Sequence, residues 1–307
     1  MREQPTSVAG VCNTGVLSGA KADPQAVPDL LIEVPHGATR LLHYESLRGL
    51  LKGSYPDDLI KFFYVNTDVG APETAVAVAR GLLTCQPALK IRILRSLVPR
   101  TFVDCNRMPR ASDNGQTKVT PWVPHYVTDP VDIDTVTAYH QSYVAQAERA
   151  YTEVCGNGGQ ALILHTYAPR SVNVGTIEGN IVEQLTDAWL PQNRRKWSKR
   201  PDVDLITTTT DGESLASPDL VDEVRRRYKS IKIDVAENDT YHLHPDTLGL
   251  RWSQEYPRRV LCVELNRQRL VRKWTPLEPL EVVPRCVEKM AQPLIAAVAE
   301  LFQPVRA

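Results

Sequence analysis

Two histidines stand directly after apolar runs in this chain, and their placement raises the question of its chemistry. His36 follows Asp29-Leu30-Leu31-Ile32-Glu33-Val34-Pro35, and His165 closes Ala161-Leu162-Ile163-Leu164-His165. Each run has the length and aliphatic character of a buried strand, so each imidazole falls at a strand's carboxyl end, where side chains project into a crevice. One histidine there is commonly a hydrogen-bonded structural residue. Two are a candidate metal pair, because neutral imidazole is the commonest protein metal ligand. A catalytic zinc site needs a third ligand and an open position. Asn66-Thr67-Asp68-Val69-Gly70, after the strand-like Phe62 to Val65, offers Asp68, a residue type equally at home in a turn. Glu73 is the reserve carboxylate, although its place in a first helical turn has a ready dipole explanation.

The segment Arg100-Thr101-Phe102-Val103-Asp104-Cys105-Asn106-Arg107 adds two guanidinium groups after another strand. Arginine forks grip carboxylates through two parallel hydrogen bonds, which suits an anionic substrate. Asp104 has a plainer use, as an ion-pair partner for one of these arginines. Val260-Leu261-Cys262-Val263-Glu264-Leu265 places a Glu inside an apolar strand. Desolvation raises the pKa of such a group into the range of a general base, and a structural ion pair is the competing explanation. His242 and His244 have the His-x-His spacing of ligands in an extended segment. Their late position favours a loop over the pocket, with at most one of them touching substrate, over direct metal binding.

These residues need elements to position them. Strands are predicted at 29–34, 62–65, 91–97, 161–164, 205–208, 231–235 and 260–263. Helices are predicted from Glu73 to Thr84, from Asp132 to Val154, from Pro218 (capped by Ser217) to Tyr228, and from Val283 to Phe302. Alternating strands and helices mean an α/β fold, a single domain with helices on both faces of a sheet, over residues 28–307. Residues 1–27, rich in Gly, Ser, Ala, Pro and Thr, are expected to form an irregular leader. The chain has 36 basic and 36 acidic residues in 307. That balance argues against a nucleic-acid binder, which needs excess Lys and Arg to neutralise phosphates. The basic cluster Arg194 to Arg200 reads as a solvated loop in preference to a nucleic-acid or membrane patch. No apolar run reaches signal-peptide or membrane-span length, so a cytoplasmic location is expected. Six scattered cysteines with no CxxC pair agree with that, as packed or idle thiols. Cys105 and Cys262 each read as part of a strand-like run, packed in the core in preference to acting as catalytic thiols.

Pro35-His36-Gly37, Thr67-Asp68, Arg100 with Asp104 to Arg107, Tyr139-His140, Leu164-His165-Thr166 and Val263-Glu264-Leu265 occur in the order seen in N-formylglutamate amidohydrolases, a family the chain resembles across residues 30–270. The resemblance implies a zinc carboxypeptidase-like (phosphorylase/hydrolase-like) fold with a mixed central sheet, one Zn2+ per chain, and hydrolysis of a small anionic N-acyl amino acid such as N-formylglutamate. It implies His36, Asp68 and His165 as metal ligands and Glu264 as general base. Arg100 would face the oxyanion, and Asn106 with Arg107 would hold the substrate carboxylate. Tyr241 and His242, apart from the resemblance, are substrate-touching candidates in the loop over the pocket. The chain departs from the family pattern in three places: His165-Thr166-Tyr167, Cys105, and the segment Asn238 to Pro245. These departures keep open a peptidase or deacylase acting on a larger substrate, and a non-catalytic binding protein.

Overall fold

Three of the seven predicted strands, at 29–34, 161–164 and 260–263, are runs of mostly aliphatic residues long enough to be buried on both faces, and such runs form the centre of a sheet. The computed structural model of the chain describes residues 4–109, 121–172, 174 and 177–303. Seven strands, β1 (Cys12–Ser18), β2 (Leu30–Val34), β3 (Lys90–Ser96), β4 (Gln160–Tyr167), β5 (Val203–Ile206), β6 (Val235–Glu237) and β7 (Val260–Asn266), form one mixed sheet in the order β1-β3-β2-β4-β7-β5-β6. The central strands β3, β2, β4 and β7 are parallel. β1 joins β3 antiparallel at one edge, and β5 joins β7 antiparallel toward the other, with β6 parallel to it. The chain leaves β2 to build β3 on one side and later β4 on the other. This reversal opens a crevice at the carboxyl ends, where ligands bind in open α/β sheets.

Among the described residues nine α-helices flank the sheet: α1 (Leu41–Arg48), α2 (Leu59–Asn66), α3 (Ala71–Cys85), α4 (Pro130–Val154), α5 (Ile181–Trp189), α6 (Pro191–Arg194), α7 (Pro218–Ser230), α8 (Leu248–Glu255) and α9 (Pro284–Leu301). Side chains alternate across the strands, so each face has its own core. Leu30, Ile32, Val34, Leu162, Leu164, Leu261 and Val263 pack beneath α3, α7 and α9. Leu31, Ala161, Ile163, Val260 and Cys262 face the side of α4, α5 and α8. By the same alternation His165 and Glu264 lie on that second side. The longest helix, α4, is entered through Asp129, whose side chain accepts from the backbone of Val131 and Asp132 ahead of Pro130. Its inner face carries Val136, His140, Tyr143, Ala147, Tyr151 and Val154 at three- and four-residue steps. Tyr143 and Tyr151 each donate a 2.7 Å hydrogen bond to the buried Glu33 carboxylate.

Four expectations need correction. Phe62 to Val65 lies within helix α2, because Leu59, Phe62 and Phe63 recur at helical spacing and bury one face. Residues 231–234 follow the end of α7, with Lys232 at φ 58°, and β6 starts only at Val235. Within the stretch expected to be an irregular leader, Cys12–Ser18 pairs along all of β3, while residues 1–3 lie outside the described residues. Only Cys12 of that strand is buried, so an edge held by backbone pairing left no apolar alternation to read. Cys105, read inside a strand-like run, sits in the loop beyond β3. No described helix is long and apolar enough to cross a membrane.

Candidate metal centre

Three loops converge at the carboxyl end of the sheet, and small residues let them approach. Gly37, next to His36, lies so close to β3 that a Cβ there would stand 2.5 Å from Arg95 Cγ and 2.9 Å from the Ser96 carbonyl. Gly70 turns the chain between Asp68 and α3 at φ 91°, with Leu270 filling the space a side chain would need. Asp68 therefore comes from the turn joining α2 to α3, not from a strand end. Cross-ties fix the loops: Asp68 N–H donates to the His36 carbonyl (3.4 Å), Thr67 Oγ1 to the Ala38 carbonyl (2.7 Å), and Thr166 Oγ1 to the Val69 carbonyl (3.1 Å).

The result is a buried triangle. His165 Nδ1 lies 3.0 Å from Asp68 Oδ2 and 3.2 Å from His36 Nδ1, and His36 Nδ1 lies 3.4 Å from Asp68 Oδ2. Among the described residues this is the one group of His, Cys, Asp and Glu with the geometry to hold a metal. The donor set fits a zinc-like ion. Bonds of about 2.0–2.1 Å in a tetrahedral shell separate ligand atoms by roughly 3.3 Å, which is the spacing found here. The tautomer agrees as well. His36 Nε2 bonds Asp104 Oδ1 at 2.7 Å, which puts the ring proton there and leaves Nδ1 a lone pair. Burial alone would raise the Asp68 carboxyl, but the adjoining His36 and His165 hold it well below the usual range.

Asp104 is wholly buried, and it links this triangle to the arginines. Its Oδ2 accepts from Arg100 Nε at 2.8 Å and lies 3.8 Å from Arg107 Nε, while its Oδ1 also accepts from the Asn106 backbone at 2.9 Å. Burial works against its charge, yet Arg100, His36 and Arg107 together keep it ionised well below its ordinary pKa. Asn106 serves the scaffold too: its Oδ1 accepts from Gly249 N–H (3.2 Å) and its carbonyl from Leu248 N–H, seating the first turn of α8. His140, quoted above without a role, bonds the Arg107 carbonyl through Nε2 at 2.8 Å and so sets that arginine's backbone.

Glu264 is paired directly across from His165 on β7. Its Oε2 is buried and has no hydrogen-bond partner among the described residues. Burial pushes its pKa up to about 7, against the pull of His165, Arg200 and Arg100. Arg267, almost fully buried, donates to the Val65 carbonyl (2.6 Å) and, at 3.3–3.4 Å, to the Thr166 carbonyl, clamping the chain beside Asp68 to the chain beside His165. No motif marked Arg267, and the Tyr139-His140 pair gave His140 no role, since the bonds of both residues go to backbone atoms distant in sequence. Glu73 is no part of the triangle; it lines the groove between α3 and α9. Tyr241 is exposed, with its hydroxyl accepting from Arg200 at 3.0 Å, and His242 is exposed beside it. His244 turns back on its own loop, its Nδ1 accepting from Asp246 N–H.

This α/β architecture is shared with solved structures. An N-formylglutamate amidohydrolase from Ralstonia eutropha JMP134 superposes with a TM-score of 0.54 at 18% identity, covering 94% of this chain and 97% of that one. A gene product from Agrobacterium tumefaciens gives 0.52 at 14% identity, covering 94% and 96%. At these identities the likeness is one of fold. No protein-family model matches the chain, and no curated protein matches its sequence.

Proposed function

We propose that the protein is a zinc-dependent hydrolase that cleaves the amide bond of a small anionic N-acyl amino acid, N-formylglutamate being the reference substrate. One observation carries the reading: three ligand atoms 3.0–3.4 Å apart face one another beside a carboxylate whose buried Oε2 has no hydrogen-bond partner among the described residues. His36, Asp68 and His165 would hold the ion. When bound, zinc supplies Lewis acidity to the scissile carbonyl and lowers the pKa of a water toward ~7. Glu264, with its pKa near that value, takes the water's proton and returns it to the leaving nitrogen. Arg100, braced by Asp104, faces the oxygen on which charge develops. Arg107 holds the α-carboxylate, which fixes the bond to be cut. Asn106 steadies that pair through α8, and Tyr241 and His242 border the entrance. Net neutrality over the whole chain is compatible with this cationic pocket. A reducing cytoplasm suits six cysteines that are all free.

The test is metal quantification on the purified chain joined to a hydrolysis screen over N-formyl and N-acyl amino acids. About one equivalent of zinc and turnover of at least one such amide is the expected outcome. Zinc uptake that is no weaker in His36→Ala and Asp68→Ala would sink the assignment of the site.

A further inference from the structure

The basic run from Arg194 ends in Arg200, which is only half-exposed. Ser171 N–H donates to the Ser198 carbonyl (3.0 Å) and Arg200 N–H to the Pro169 carbonyl (3.1 Å), around a bridge between Arg170 and Lys199. The end of the run is thereby zipped onto the segment that leaves β4. Along β4, Tyr167 shares the face of His165 and lies about 7 Å further toward the carboxyl end. It stands opposite Asn266, as His165 stands opposite Glu264.

The Arg200 guanidinium sits 5.0 Å from the centre of the Tyr167 ring and 5.3 Å from that of Tyr241. Nε donates to Ser171 Oγ and Nη2 to Tyr241 Oη, each at 3.0 Å. Both partners are neutral, and the fork carries five N–H groups in all. Among the described residues no carboxylate lies within ion-pair distance of it. Contact with two rings and two hydroxyls orders the side chain in advance, which removes part of the entropy cost of gripping a ligand. Its charge also acts on Glu264, which lies on the same side of the sheet as Tyr167.

We propose that Arg200, held by Ser171, Tyr167 and Tyr241, is a subsite for a second carboxylate of the substrate, separate from the α-carboxylate given to Arg107. The proposal rests on the acyl amino acid reading above. That carboxylate ends either the amino acid side chain or a dicarboxylic acyl group, and both present the same planar partner to the guanidinium.

Kinetics of the full-length, zinc-loaded protein on N-formyl-L-glutamate, N-succinyl-L-alanine and N-formyl-L-norleucine, comparing the native chain with Arg200→Gln and Arg200→Lys, test this. In Arg200→Gln the preference for a dianionic substrate over norleucine is expected to fall about 10- to 100-fold, through KM and not kcat, with partial recovery in Arg200→Lys. The dianion whose preference collapses identifies the source of the carboxylate. Equal loss on all three substrates, or no loss, overturns the subsite. If the native chain hydrolyses none of them, the amide-hydrolase reading fails, and calorimetry with glutarate and butyrate then judges the subsite alone. Tighter glutarate binding that disappears in Arg200→Gln supports it. The same ratio in both proteins, or no preference for glutarate in the native one, overturns it.

Discussion

Replacing Glu264 by Gln should make the metal-free protein more stable while removing its activity. The carboxyl is buried in β7, its Oε2 lacks a partner, and burial lifts its pKa from an ordinary 4.5 to about 7. The folded state therefore keeps the Glu264 proton to a higher pH than the unfolded chain does. Below pH 4.5 both states are protonated and the residue costs little. As pH rises from about 4.5 to about 7, the unfolded state releases its proton first, and the fold loses stability. Above pH 7 the accumulated loss is about 3 kcal/mol, at roughly 1.4 kcal/mol per pH unit. Glu264→Gln removes that cost, so at pH 8 the variant should gain about 3 kcal/mol, or roughly 5 °C in Tm for a chain of this size. At pH 4.5 the two proteins should melt together. Denaturant melts of chelator-treated protein at both pH values, beside turnover of the zinc-loaded forms, supply the measurement. Turnover should drop ~100-fold or more with zinc content intact. A variant no more stable at pH 8, or equally stabilised at pH 4.5, refutes the burial argument, and near-normal turnover refutes the role of base.

Three further outcomes follow from the same geometry. Zinc at 100 times its Kd should stabilise the fold by about 2.7 kcal/mol, and chelator should reverse the gain in a thermal melt. Asp104→Asn, which loses the charge that orients the His36 ring and anchors Arg100, should weaken zinc binding about 10- to 100-fold in a competition titration. Tyr143→Phe should cost about 1–3 kcal/mol in urea unfolding, because it strips one of two hydroxyls from the buried Glu33 carboxylate, and should leave zinc affinity unchanged.

Elements with strong local patterns were legible in the sequence. The Asp129-Pro130 start of α4 and its helical stripe, the Ser217-Pro218 start of α7, and the aliphatic runs of β2, β4 and β7 announce themselves through capping chemistry and periodicity. Four chemical residues were legible for a different reason. Histidine and carboxylate at the ends of apolar runs, or inside one, are out of place unless something uses them, and the fold does bring His36, Asp68 and His165 into one triangle with Glu264 alongside. What escaped is long-range or backbone-borne. β1 is an edge strand whose side chains are mostly exposed, and α2 is an apolar octamer too short for its period to be read. The basic run hid Arg200, because only the pairing of residues 170–171 with 198–199 turns that charge inward.

The clamp formed by Arg267 has a consequence for the order in which the site is made. All three ligand side chains lie within the first 165 residues, so a growing chain carries them early. Yet β7, which flanks β4 and brings Glu264, and Arg267, which joins the carbonyls beside Asp68 and His165, are synthesised about a hundred residues later. Until they arrive, the turn bearing Asp68 is hydrogen-bonded to the strand bearing His165, among the described residues, only through the Thr166–Val69 bond and the Asp68–His165 contact itself. On the proposed metal reading, capture by the finished triangle should be a late event that coincides in refolding with docking of β7. Time-resolved zinc uptake would then report completion of the fold as a whole.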